Sequence, residues 1–221
     1  MSSLRAATVL FAALTLTSAG CHGRYRRAAP DIGSAKLDVV IAAQPTIAGA
    51  DLSSMEAPET AADVVTLGTE IATAALAVKV ATILNKAVDP EAVEGALTKG
   101  IVEKAERRPP PYSVSEKKGK ADLEITITGY GLSVSGGVPA VWLTTSSAIY
   151  ERDGDRVYRA SERCETELPT LLPIALPGQV GELQAMASLA ELKPAQLEAL
   201  LGALAETCGK KVAKELVQHA K

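Results

Sequence analysis

Apolar and polar positions alternate with the period of a strand from residue 121 onward. Leu123, Ile125 and Ile127 interleave with Glu124, Thr126 and Thr128, so one face is apolar and the other polar. After Gly129 the apolar set moves to Tyr130, Leu132 and Val134. Side chains alternate strictly along a strand, so this change of parity needs an extra residue or a break, and Gly129 and Gly131 mark where a bulge falls. Gly136-Gly137 supplies a turn into a second strand over 140–150. Asp153-Gly154 is a hairpin signal leading to a third strand near 156–161. The pattern predicts an antiparallel meander over 121–161.

Elsewhere the apolar period is helical. Residues 61–87 are alanine-rich and apolar on a broad surface, which predicts a largely buried helix, frayed or kinked at Gly68. Asp89-Pro90-Glu91 opens a second helix over 90–107: a capping carboxylate, a residue with no N–H to leave unpaired, and an acid at the positive end of the dipole. Val93, Leu97 and Ile101 form its stripe, and Pro109-Pro110-Pro111 begins a surface linker to Lys120. Past the prolines at 169, 173 and 177, residues 181–191 suggest a short helix. A longer one runs over 194–218, with Leu197, Leu201, Leu204, Cys208, Val212 and Leu216 on its buried stripe and a bend expected at Gly209. Residues 37–43 read as one early strand ended by Pro45. Apolar helix stripes and an apolar sheet face together give an α+β fold: a two-layer sandwich in which an antiparallel sheet, the meander plus the N-terminal strand, packs against helices.

The first 21 residues are a separate matter. One positive charge, an apolar stretch and small residues precede Cys21, the order of a signal peptide. Ser18-Ala19-Gly20-Cys21 resembles the bacterial lipobox, with Ser18 where a bulky apolar residue is usual and Leu16 two places earlier. The resemblance implies a secreted lipoprotein, with residues 1–20 a signal peptide and Cys21 carrying the lipid. Beyond it the polar, small-residue stretch broken by Pro30 and Gly33 reads 21–36 as a flexible tether, and 37–221 as one α+β domain. His22, rather than aspartate, follows the cysteine. By the sorting rule of two-membrane bacteria this implies the outer membrane, facing the periplasm. In the tether, Arg24, Arg26 and Arg27 are suited to anionic head groups, with Tyr25 at the interface. The segment ADLEITITGYGLSVSGG…AIYERDGDRVYRA (121–160) also resembles small envelope lipoproteins that assist transport or assembly at the outer membrane.

Composition narrows the function. The formal charge is −3 and no basic patch with interleaved aromatics occurs, which argues against nucleic acid. Beyond Cys21 the only cysteines are Cys164 and Cys208, and two thiols in an oxidising compartment are expected to pair as a disulfide. The only histidines are His22 and His219, the latter read as solvated at a helix end. No zinc-protease motif, phosphate loop or nucleophile elbow is present, so no metal, cofactor or catalytic residue is expected. Asp153-Gly154-Asp155 is a turn rather than a calcium loop. Thr144-Thr145-Ser146-Ser147 is rich in hydroxyls without a base to activate them. Trp142, the sole tryptophan, falls on the solvent side if Val141 and Leu143 point inward; there it is either covered by a helix or exposed as a candidate partner contact. The expected function is that of a non-catalytic envelope lipoprotein, accessory or structural, acting through contact with an envelope protein. The alternatives are a carrier of a small ligand or lipid and, third, a Ser–Lys hydrolase.

Overall fold

The long central strand β4 (Ala121–Ser135) organises the molecule. Its apolar positions change parity where the sequence does: Ile127 faces Thr145 and Gly129 faces Thr144 of the next strand, leaving Thr128 as the bulged residue. The computed structural model describes residues 23–48, 75–76, 78–86, 88–135, 137–168 and 179–221. The leader, Cys21, residues 61–74 of the expected first helix and the proline-punctuated bridge lie outside them.

Helix α1 spans 23–32 and α2 spans 75–86, apart from residue 77. Strands β1 (Ser34–Ile41) and β2 (Pro45–Ala48) precede α3 (Pro90–Arg107), β3 (Ser113–Ser115) and β4. Then come β5 (Val138–Tyr150), β6 (Arg156–Glu167), α4 (Gln179–Ala190) and α5 (Pro194–His219). The six-stranded sheet runs β3-β1-β4-β5-β6, with β2 also on β4. The meander β4-β5-β6 is antiparallel, and Gly137 and Gly154 take the positive φ its two turns require.

The sheet is mixed rather than antiparallel. Both β1 and β2 run parallel to β4. The expected single strand over 37–43 is two strands in line, and their break over residues 42–44 lies beside the bulge: β1 ends against Ile127 and β2 starts against Tyr130. Pro45 starts β2 instead of ending a strand, a first-residue position that proline tolerates. The expected linker contains β3, which pairs with β1 at Ser34–Lys36. The expected flexible tether is ordered: 23–32 is helical, and Tyr25, Ala29 and Ile32 are buried in the core. Three apolar side chains on one face of α1 give it a reason to pack that polar composition obscured.

One core joins the inner sheet face to the helices. Leu123, Ile125, Ile127, Leu143 and Ile149 meet Leu97, Ile101, Leu197, Leu201 and Leu216. Asp89 caps α3 as expected, its carboxylate accepting the Glu91 N–H at 3.0 Å. Helices α3 and α5 cross at very short range through glycines. A Cβ on Gly100 would lie 2.1 Å from the Glu206 carbonyl oxygen, and one on Gly209 would lie 2.2 Å from that of Leu97. Gly209 therefore marks the crossing, and α5 continues through it.

Candidate functional site

Helix α1 is seated in a buried aromatic cluster. Tyr25 on α1 is 0% exposed. Its hydroxyl donates to the Leu216 carbonyl of α5 (3.1 Å) and lies 2.7 Å from the Tyr112 hydroxyl, which is therefore the donor of that pair. Its ring packs on Tyr158 of β6 at 4.5 Å between centroids. Tyr158 reaches His219 Nδ1 at 3.1 Å, and His219 Nε2 lies 3.1 Å from Glu215. Outside, Arg24 pairs with Asp155 in the β5–β6 turn.

Burial governs this cluster. Desolvation pushes Tyr25 up to about 12, and it drives Tyr112 and Tyr158 well above the usual phenol range. All three are neutral hydrogen-bonding groups at physiological pH, so the cluster is a clasp that fastens α1 to the body. His219, read from sequence as solvated, is a partly buried member of that clasp. Tyr25 was expected at a membrane interface and sits in the core instead. Two of only five tyrosines, Tyr25 and Tyr112, stand in segments that read as tether and linker. Large side chains in otherwise polar stretches were the available signal.

Cys164 on β6 and Cys208 on α5 form a disulfide with Cα atoms 5.7 Å apart. It pins the middle of α5 to the sheet beside the glycine crossing. Cys21 lies outside the described residues, and α1 begins two residues after it.

Trp142 does lie on the face opposite Val141 and Leu143, but it is not an open surface. It is 9% exposed. Its indole N–H donates to the Leu132 carbonyl at 3.1 Å, and the Arg163 guanidinium stacks 4.9 Å from its ring centroid. A Cβ on Gly129 would meet the ring at 2.9 Å. Gly129, beside the bulged residue, makes room for the indole, so Trp142 has an intramolecular packing role in place of the open surface a partner contact needs.

Thr145 and Ser147 of the hydroxyl stretch point inward and are buried, while Ser133 donates to Glu165 at 3.1 Å on the outer face. None of the chain's lysines is buried. Among the described residues, no group of three His, Cys, Asp or Glu side chains is placed to hold a metal ion. No described helix is long and apolar enough to cross a membrane. A cleft of about 370 Å³ opens between α4, α5 and the start of β5, walled by Pro139, Leu168, Leu189, Leu192 and Leu200, with Ser188 and Gln196 as polar groups.

No protein-family model and no curated protein matches the chain. Solved structures with some similarity include a Xanthomonas campestris protein, at 13% identity and TM-score 0.37 over 84% of this chain and 85% of that one. A Caulobacter crescentus protein provisionally named a lipoprotein matches at 10% identity and TM-score 0.29, over 56% of this chain and 83% of that one. An uncharacterized protein matches at 12% identity and TM-score 0.32, over 83% and 90%.

Proposed function

We propose that this protein is a lipid-anchored envelope protein, held by Cys21 at the outer membrane on its periplasmic side, that works by contact with another envelope protein and has no catalytic centre of its own. The observation that carries the reading is the seat of α1. With Tyr25 locked into the core, only His22 separates a lipid on Cys21 from a helix fixed to the body. A domain so attached lies against the bilayer in a restricted orientation instead of swinging on a leash. Arg26 and Arg27 are exposed on α1 beside the anchor and suit anionic head groups, each worth about 1 kcal/mol at a strongly anionic surface.

Fractionation of wild type and Cys21→Ser, followed by cross-linking in intact envelopes, tests this. Wild type should sediment with outer membrane and cross-link reproducibly to one protein, and Cys21→Ser should be soluble and lose that product. An equal distribution of the two proteins removes the anchor; a wild type that cross-links to no protein removes the contact role.

A second reading, a carrier of a small apolar ligand, is favoured by the cleft at Leu189, Leu192 and Leu200, whose volume falls within the usual range of ligand sites. Native mass spectrometry of protein extracted in mild detergent would show a stoichiometric lipid lost in Leu189→Trp if that reading holds.

A further inference from the structure

We propose that the edge of β1 beyond Lys36, which no described strand covers, is with the facing side of α3 a docking groove for an extended basic segment of a partner protein, taken up by strand addition; this rests on the contact reading above and names its surface. β4 pairs with β1 from Ala35 to Ile41, but β3 covers the other side only at Ser34–Lys36. In a parallel ladder, alternate residues turn their backbone groups to opposite neighbours. Ala42 donates its N–H to Ile127 on the β4 side at 3.0 Å, so Leu37, Val39 and Ile41 address the other side. Ile41 shows this directly: its N–H is taken by the Glu94 carboxylate of α3, at 3.0 Å. Among the described residues no strand pairs with β1 at Leu37 and Val39, the edge pattern to which added strands bind.

Beside this edge lies an open groove of about 770 Å³ between β1 and α3. Its charged walls are Asp38, Glu91, Glu94, Glu103 and Glu116 against Lys99. The Lys99 ammonium is itself held by Glu206 at 3.0 Å and Glu103 pairs with Lys210 at 3.5 Å, which leaves Asp38, Glu91, Glu94 and Glu116 as the acidic wall. Val40, 51% exposed, adds an apolar side chain on the opposite face of the same edge. The site therefore offers backbone rungs, a negative wall and one apolar contact. An extended segment with lysine or arginine facing α3 satisfies all three. The chain's own residues 49–74 do not, since they carry Asp51, Glu56, Glu59, Asp63 and Glu70 and no lysine or arginine. A second copy of β1 would bring Asp38 against the same carboxylates.

The test is fluorescence anisotropy of the purified full chain with a labelled hexapeptide of alternating lysine and valine. The peptide should bind. Glutamate in place of lysine, or N-methylation of alternate peptide bonds, should each weaken binding about tenfold or more, as should the double variant Glu91→Lys/Glu116→Lys, whose native far-UV circular dichroism and cooperative thermal unfolding are retained although the first turn of α3 loses its acid. Binding indifferent to N-methylation would rule out strand addition, and binding indifferent to charge reversal on both sides would rule out the acidic wall. No binding up to millimolar peptide overturns the proposal. The envelope cross-linking above does not depend on this surface, so failure here with a cross-linked partner there would remove the groove and leave the contact reading.

Discussion

Gly100 on α3 and Gly209 on α5 each face the partner helix's backbone, and at both sites a methyl group would overlap a carbonyl oxygen at little more than 2 Å. In an open helix, alanine would be better than glycine by about 1 kcal/mol. Here the methyl must push apart two helices that a shared core holds together, while the disulfide keeps α5 on the sheet. Gly100→Ala and Gly209→Ala should each therefore be destabilised on balance, by about 1–3 kcal/mol. Urea unfolding checks this, and a neutral or stabilising result at both sites would mean the crossing is looser than described.

The Cys164–Cys208 bond closes a loop with a sequence separation of 44. Chain-entropy arithmetic for such a loop gives about 4 kcal/mol, within a broad range of measured values. Reduction, or the Cys164→Ala/Cys208→Ala double variant, should lower the urea midpoint by an amount in that range, while far-UV circular dichroism stays native. An unchanged midpoint would show that the crossing alone positions α5.

The tyrosine clasp makes a prediction about alkali. Tyrosines in the unfolded chain ionise near pH 10, whereas burial holds Tyr25 protonated to about 12 and Tyr112 and Tyr158 well above their ordinary range. Below pH 10 both states are protonated and the clasp's contribution is whole. As pH rises from 10 towards the folded values, the unfolded chain releases protons that the folded one keeps. Stability should fall by up to about 1.4 kcal/mol per pH unit for each tyrosine. Urea midpoints measured at pH 8.5 and 11 should show this, with a shallower fall in Tyr158→Phe. A flat profile would place the three phenols in contact with water.

Trp142 is the chain's only tryptophan, so its fluorescence reports one site. Packed on Gly129 beneath Arg163, it should emit in the blue-shifted range and move to the red on unfolding. Trp142→Ala should destabilise by about 3 kcal/mol without abolishing an envelope cross-link. Unaltered stability together with loss of the cross-link would restore Trp142 as a partner contact.

The meander, its bulge and the capped helix at Asp89 were legible because each rests on neighbours in sequence: alternation, a parity change, a cap three residues wide. The side of the sheet that Trp142 occupies was legible for the same reason. Its cover was not, because that comes from the Arg163 side chain and from backbone exposed at glycines on another strand. The direction of β1 is equally remote. A strand of mixed apolar and polar residues pairs parallel or antiparallel with the same local pattern, so nothing within residues 34–41 decides it. Helix α1 was masked by its arginines, since Tyr25, Ala29 and Ile32 make a stripe only once the surrounding charges are set to the other face. For the candidate surfaces, Cys164 and Cys208 were readable as the only cysteines beyond Cys21. The stretch of β1 beyond Lys36 that no described strand covers was not, because it is defined by what lies beside it in space.

A lipid anchor requires acylation and cleavage at Cys21. Trypsin would release Cys21–Arg24 as the first peptide of the processed chain. Mass spectrometry of protein taken from the membrane fraction should find that peptide carrying diacylglycerol on the sulfur, with no peptide from residues 1–20. An unmodified Cys21, or a chain that begins elsewhere, would contradict the anchored reading.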